Sequence, residues 1–493
     1  MDASMKDDSV AKSPVDMASV QIAVDPEDPI QKALAEYQPG TPEEKKLLRK
    51  IDLYMIPCLW FMCILAYVDR NNIGNARAAG MAKDLGLTDS NYSMLISIFF
   101  IAYLILEVPS NLILARCRPS LYLAGIMATW GVLVAGMSQV KSYQAILVCR
   151  FFLGMIEAGF MPGVMYLMSC WYTKSELGKR FSIFFTALCI SGAVSGLLSG
   201  AIISGLEGAK GMQGWRWLFL IEGVITVVFS IFSAFVLVDY PETSRRLSPD
   251  ERQLATIRIL NDKKANSSHT TKKLTPLQAI WASLVDLRVY FFTALYLLDN
   301  GCATINYFIP TVVQNMGYAG VTAQWMTVPI WIVATVFLCI VPQTADRYKE
   351  RRWHITFGFT LAFVSGIIIV TVENNLAARY AFICFYISGV YAAFPLILTW
   401  GSEMISLPSE KRAVSIAIVN AVGNLAAIYG SYMWPSTDAP EYKRGFTAMA
   451  GMCGAGAIIA ALMPVAFKYL PKFTTKAERE LEVIEGHTSD RDL

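Results

Sequence analysis

Apolar residues gather into twelve long runs, at about 52–79, 91–115, 120–139, 143–171, 180–205, 216–238, 288–316, 322–342, 353–372, 379–400, 411–433 and 446–468. Roughly 20 apolar residues in a helix cross the hydrocarbon core of a bilayer, so each run predicts a membrane span. The polar connections are short except for one, about residues 240–286, which divides the runs six and six. The pattern predicts an all-α membrane protein: twelve transmembrane helices in two six-helix bundles, 51–239 and 287–470. A 1–50 tail rich in Asp, Glu, Lys and Pro reads as disordered, and 471–493 as a second tail. Within the central loop, Ser248-Pro-Asp-Glu251 is a capping box with proline at the first helical position, predicting a helix to about Leu260.

Lysine and arginine in the short loops set orientation. Lys45, Lys46, Arg49 and Lys50 precede the first span, and alternate loops carry Arg116 and Arg118; Lys174, Lys179 and Arg180; the central loop; Arg347, Lys349, Arg351 and Arg352; and Lys411 with Arg412. Both termini are therefore expected in the cytosol, most readily of the plasma membrane, and the Asn266-Ser-Ser sequon should be unused.

Composition agrees: of 493 residues, 55% are hydrophobic and only 16% charged, well short of the ~25% of soluble proteins. A net charge of +3 gives no reason to expect nucleic acid. The ten cysteines lie in or beside apolar segments without metal-type spacing to each other or to His269, His354 or His487. No phosphate-binding loop and no paired nucleophile and base appear, which disfavours an enzyme or an ATP-driven pump. No cofactor is expected beyond a proton gradient, and the chain is expected as a monomer.

The chemistry lies in charges inside the spans. Arg150 and Glu157 sit two helical turns apart in the fourth run; an ionisable group at bilayer depth costs from ~2.5 to more than 10 kcal/mol, so such groups face a partner or a wet cavity. They are either a structural pair or the two sides of a site with room between them. Leu53 to Val68 is too short to cross, so the first helix must continue through Asp69-Arg70-Asn71-Asn72, unless that cluster ends it at the interface. Continuation places Asp69 and Arg70 at the depth of Arg150. Glu107, in the second span, reads equally as a brace near the cytosolic side or a proton site. Gly192, Gly196 and Gly200, with Ser191, Ser195 and Ser199, form a small-residue seam for helix contact. Asp299, Asn300, Asn306, Tyr307 and Pro310 predict a broken seventh helix lining a cavity. Trp400, Asn420 and Asn424 are further candidates for a substrate pocket, whereas Trp215, Trp217 and Trp434 read as interfacial anchors.

Asp346-Arg347-Tyr-Lys-Glu-Arg351-Arg352 resembles the loop motif of the major facilitator superfamily, which implies a gating role for Asp346, Arg347, Arg351 and Arg352. The matching loop after the second span, Leu114-Ala-Arg116-Cys-Arg118-Pro119, lacks that motif's aspartate. Asp69-Arg70-Asn71-Asn72-Ile-Gly-Asn-Ala, Glu107-Val-Pro-Ser-Asn, Arg150-Phe-Phe-Leu-Gly-Met-Ile-Glu157-Ala-Gly, Gly214-Trp-Arg-Trp-Leu-Phe and Asp239-Tyr-Pro-Glu-Thr resemble the anion:cation symporter branch, and within it fungal permeases for allantoate, nicotinate and pantothenate. The resemblance covers about residues 50 to 470. It implies that Arg70 and Arg150 bind an anionic substrate while Asp69 and Glu157 take protons. The expected function is proton-coupled uptake of a small organic anion by alternating access. Two other readings stay open: an exporter of an acidic metabolite on the same fold, and a membrane sensor that binds without transporting.

Overall fold

The computed structural model describes residues 34 and 37–469, apart from 115–116, 268–273, 319, 373–374 and 406–407. Among them, eleven helices are long and apolar enough to cross a membrane, and a pair bent by 76°, Leu277–Val285 with Leu287–Tyr307, raises the number to twelve. The C-terminal tail and most of the N-terminal one lie outside the described residues.

Spans 1 to 6 are Pro42–Asp84, Asp89–Glu107, Pro119–Met137, Tyr143–Trp171, Glu176–Leu206 and Gly214–Val236. Span 7 is the Leu287 arm of the bent pair; spans 8 to 12 are Val321–Tyr348, Arg352–Thr371, Leu376–Met404, Glu410–Met433 and Lys443–Phe467. In the first half, span 3 packs on 6, 2 on 4, and 1 on both 5 and 6. In the second half, 9 packs on 12, 8 on 10, and 7 on both 11 and 12, so the same arrangement occurs twice. Such duplicated bundles are the usual frame of a carrier that binds between its halves.

Span 1 starts at Pro42, capped by the Thr41 side chain, so the end of the segment expected as a disordered tail is helical. It runs unbroken through Asp69–Asn72 to Ala76, then takes a π-turn over Arg77–Met81. This continuation holds the charged cluster inside the bundle: Asp69, Arg70, Asn71 and Asn72 are all buried. Span 7 is broken as its sequence suggests: helix Leu287–Ala303 ends in a 3-10 turn, Thr304–Tyr307, and a new helix starts at Ile309 with Pro310 in its first turn.

The halves meet mainly on the face opposite the central loop, here the far face. Tyr92 donates to the Tyr307 carbonyl at 2.9 Å, and Ser93 to the Ser431 carbonyl at 2.7 Å. Asp89 accepts from Arg77 at 2.7 Å and from the Ser436 backbone and hydroxyl at 2.7 and 2.6 Å. The glycine seam of span 5 abuts span 8: a Cβ on Gly192 would overlap the Trp331 ring, and one on Gly196 the Thr327 hydroxyl. The seam therefore joins the two halves rather than neighbours within one bundle. Toward the loop face, the hydrogen bond joining the halves among the described residues is from Asn420 to Glu107, at 3.3 Å.

Two expectations need correction. Trp215 and Trp434 are not interfacial anchors; both are fully buried, Trp434 stacked on Phe308 and edge-on to Phe446. Far-face closure encloses Trp434, which removes it from the lipid boundary. The central-loop helix, capped by Ser248 and Glu251 as expected, continues to Ser267 rather than ending near Leu260. It is clamped to the first bundle by Arg258, which is fully buried, donates to Glu44 at 2.5 Å and to Glu176 at 2.7 Å.

Candidate functional site

A cavity opens between the halves at the level of the broken seventh helix. Tyr67, Arg70 and Phe100 line it from the first half; Asn300, Asn306, Tyr307, Tyr391, Phe394 and Asn424 line it from the second. Its wall thus combines one guanidinium, three amides, several aromatic rings and one carboxyl, Asp299, which is buried and has no hydrogen-bond partner among the described residues.

Arg70 is held by geometry on every side. Its Nε and Nη2 donate to the same oxygen of Glu157, Oε1, at 3.0 and 2.5 Å. The rings of Tyr67, Phe99 and Tyr103 lie 4.8, 5.1 and 5.3 Å from its central carbon, favourable positions for a cation over an aromatic face. Span 4 can approach span 2 this closely because position 154 is glycine, where a Cβ would overlap the Phe99 carbonyl oxygen. Glu157 Oε2 is buried and has no partner among the described residues.

Arg150 and Glu157, two turns apart in one helix, are not paired with each other in this structure. Arg150 is buried beside the Phe99 ring, its central carbon 5.1 Å from the ring centre, with Nε 3.5 Å from the Leu95 carbonyl. Its Nη1 has no partner among the described residues, and it does not line the cavity. Asp69 turns the other way, into the contact of spans 1, 3 and 6. There its Oδ2 accepts from Thr226 at 2.8 Å and from the Trp130 indole at 3.1 Å.

Of the candidate substrate residues, Arg70, Asn300, Tyr307 and Asn424 line the cavity, while Arg150, Trp400 and Asn420 do not. Trp400 packs edge-on against Phe292 at 5.4 Å, inside the second bundle. Asn420 accepts from Tyr296 at 3.2 Å and donates to Glu107, which places Glu107 at the loop-side closure between the halves. Asn306, noted in the broken helix, also lines the cavity and bridges to Asn71 at 2.9 Å.

The loop-face motif residues form a small network. Arg351 pairs with Asp346 at 2.5 Å and with Glu403 at 3.0 Å, Arg352 donates to the Ala461 carbonyl, and Arg347 is exposed. In the first half, the aspartate missing from the loop after span 2 is supplied from the end of span 6. Asp239 accepts from Arg118 at 2.7 Å and from the Ser120 hydroxyl and backbone at 2.6 and 3.3 Å. Burial alone would raise the Asp239 carboxyl, but these hydrogen bonds outweigh it and hold the group below its usual range. Two further charged residues escaped the sequence reading: Glu222, buried in span 6, and Asp89, which bridges the halves on the far face.

Comparison with known proteins bears on the frame of this site. The family described as Major Facilitator Superfamily matches residues 59–431. The MFS-type transporter cnsO of Penicillium expansum is 33% identical over 429 residues, covering 85% of this chain and 82% of that protein. A putative tartrate transporter of Agrobacterium vitis is 29% identical, covering 85% and 95%. Among solved structures, a bacterial homolog of the human lysosomal transporter Spinster, in its inward-facing and occupied conformation, superposes with a TM-score of 0.64. That likeness, at 14% identity and covering 84% of this chain and 96% of the other, is one of fold.

Proposed function

This chain belongs to the Major Facilitator Superfamily of membrane transporters, and we propose that it carries a small organic anion into the cell with protons, as in the anion:cation symporter branch. One observation carries the reading. The single guanidinium on the cavity wall, Arg70, is neutralised by a buried carboxylate, Glu157, through one oxygen only. A planar guanidinium matches a carboxylate with two parallel N–H donors. An anion arriving at Arg70 competes with Glu157 for those donors. Released from Arg70 inside the bundle, Glu157 is too costly to leave ionised and takes a proton, so anion and proton enter together. The amides of Asn300, Asn306 and Asn424 supply hydrogen bonds to the remainder of the substrate, and the aromatic rings supply flat apolar walls.

In this reading the loop face is cytosolic, the structure is a state held shut on the far face, and the monomer is the working unit in the plasma membrane. A relative named as a putative tartrate transporter supports an organic acid as the cargo class. Transport would proceed by rocking the two bundles about the cavity, breaking the far-face contacts while loop-face contacts form.

The test is uptake by cells expressing the chain, offered a panel of labelled organic acids at about pH 5 and pH 8, with and without a protonophore. Acid-stimulated, protonophore-sensitive uptake of one of them is expected. Uptake indifferent to both would overturn the coupling.

A further inference from the structure

Glu222 lies in the middle of span 6, 1% exposed, and neither carboxyl oxygen has a hydrogen-bond partner among the described residues. The charged group that acts on it electrostatically is a second carboxyl, Asp69 of span 1. Thr226, one turn from Glu222 on the same helix face, donates to Asp69 Oδ2 at 2.8 Å, while Asp69 Oδ1 is buried and unpartnered.

Nothing cationic faces this place. The adjoining stretch of span 3, Thr129–Ala135, contains no titratable residue, and it comes close because a Cβ on Gly223 would overlap the backbone of Ala135. Span 5 offers only Cys189 along Phe181–Gly200, and that thiol faces Cys339 and Thr335 of span 8. Arg70 points to Glu157, itself a further acid acting on Asp69 from span 4, while Arg77 and Arg216 pair with Asp89 and Asp84 on the far face. Two carboxyls sharing a dry site cannot both be ionised.

We propose that Asp69 and Glu222 form a carboxyl pair that binds one exchangeable proton, with Glu222 a positioning residue that sets the charge balance on which coupling at Glu157 depends. The inference rests on the proton-coupled reading above and adds a site to it. Charge balance gives the pair its role. The core of the first bundle holds two guanidinium groups, Arg70 and Arg150, and three carboxyls, Asp69, Glu157 and Glu222. With all five ionised it carries one net negative charge, which a single proton on the pair cancels. Substrate carboxylate at Arg70 adds another negative charge, which a proton on Glu157 cancels. The pair therefore keeps the empty site neutral, so that each anion loaded calls for its own proton. Uptake forms one O–H bond and release breaks it, and because the two acids are coupled the titration belongs to the pair.

The test needs no knowledge of the substrate. The full chain in lipid nanodiscs is titrated from about pH 5 to 9, the range open to buried carboxyls, while infrared spectra follow the protonated-carboxyl carbonyl stretch. The indole fluorescence of Trp130, which donates to Asp69 at 3.1 Å, is followed in parallel by difference from W130F. A titrating band is expected in the wild type, and in E222Q its midpoint should move by about one unit or more or the band should vanish. D69N should have the same effect, and the double variant should lose the pair's band altogether. A midpoint unchanged in E222Q, or no titrating carboxyl in the wild type, would overturn the pair. Where E222Q fails to fold, E222D serves: it keeps the carboxyl on a shorter stem, so the band should persist with a moved midpoint, and an unmoved one would overturn the pair. Uptake that proves indifferent to pH while the band titrates would sink the coupling reading and leave the pair standing.

Discussion

Arg70 and Glu157 meet through a single carboxylate oxygen, Nε and Nη2 of the arginine both converging on Oε1 at 3.0 and 2.5 Å. The second oxygen stays unpartnered in a buried setting, so the pair is held short of the two-point fork that its chemistry allows. Such a pair is suited to exchange, because an incoming carboxylate can offer the better geometry.

Removing one partner should therefore be costly for folding, and removing both should not. R70A leaves Glu157 buried without its cation, and such a loss destabilises by about 3–5 kcal/mol. R70Q/E157Q, which replaces both charges with amides, should recover most of that stability while remaining inactive. Thermal unfolding of the purified variants in detergent measures the first effect and uptake the second. A double variant no more stable than R70A would mean that the arginine acts through its aromatic packing instead.

E157Q separates movement of substrate from movement of protons. The amide still accepts from Arg70 but cannot carry a proton, so accumulation against a gradient should fall to passive equilibrium. Exchange of labelled for unlabelled substrate across the same membrane should persist, since it needs no net proton transfer. Parallel accumulation and counterflow assays distinguish the two, and equal loss in both would place Glu157 in binding rather than in coupling.

Asp89 should hold the far face shut. It joins Arg77 of its own half to Ser436 of the other, and D89A removes both connections. About 1.4 kcal/mol is enough to shift a two-state equilibrium tenfold. Ser97 is buried beneath this closure, 3.3 Å from the Ser431 hydroxyl, and makes a useful probe. Labelling of S97C by a membrane-impermeant thiol reagent from the far face should rise at least several-fold in the D89A background.

The spans and the broken seventh helix were legible because hydrocarbon thickness fixes the length of an apolar run, and Thr304–Tyr307 before Pro310 cannot continue a helix. The depth of Asp69 and Arg70 was legible for the same reason. Partnership was not. Arg150 and Glu157 share a face of one helix, but the contacts are decided by which neighbouring helix approaches, and Gly154 against Phe99 brings span 2 in between Arg150 and the cavity. Glu222 carries the same signal as Glu157, an acid inside an apolar run, yet the basic residue of its run, Arg216, stands at the end of the helix and pairs with Asp84 instead. Trp400 and Asn420 illustrate the reverse: polar or aromatic character on a span shows that a side chain has a partner, and here the partners are Phe292, Tyr296 and Glu107 rather than a ligand.

The Asp239 latch should be indifferent to the acidity that drives transport. Its carboxyl is held below the usual range, so the stability it contributes is present above the unfolded value of about 3.9 and is lost only as pH falls through the lower folded value. Between about pH 5 and 8, where uptake is to be compared, Asp239 stays ionised on Arg118 and Ser120 in every state that keeps those hydrogen bonds. D239N, which keeps the shape but weakens the charge-assisted contacts, should lower the thermal midpoint by a few degrees at neutral pH. The gap between the variant and the wild type should narrow as pH falls below the usual aspartate range, where the wild-type carboxyl becomes protonated too. The acid stimulation of uptake should retain its wild-type midpoint in D239N, because the groups that set it lie in the bundle core and not at the loop. A shifted uptake midpoint in this variant would relocate the pH sensor from Asp69, Glu157 and Glu222 to the loop face.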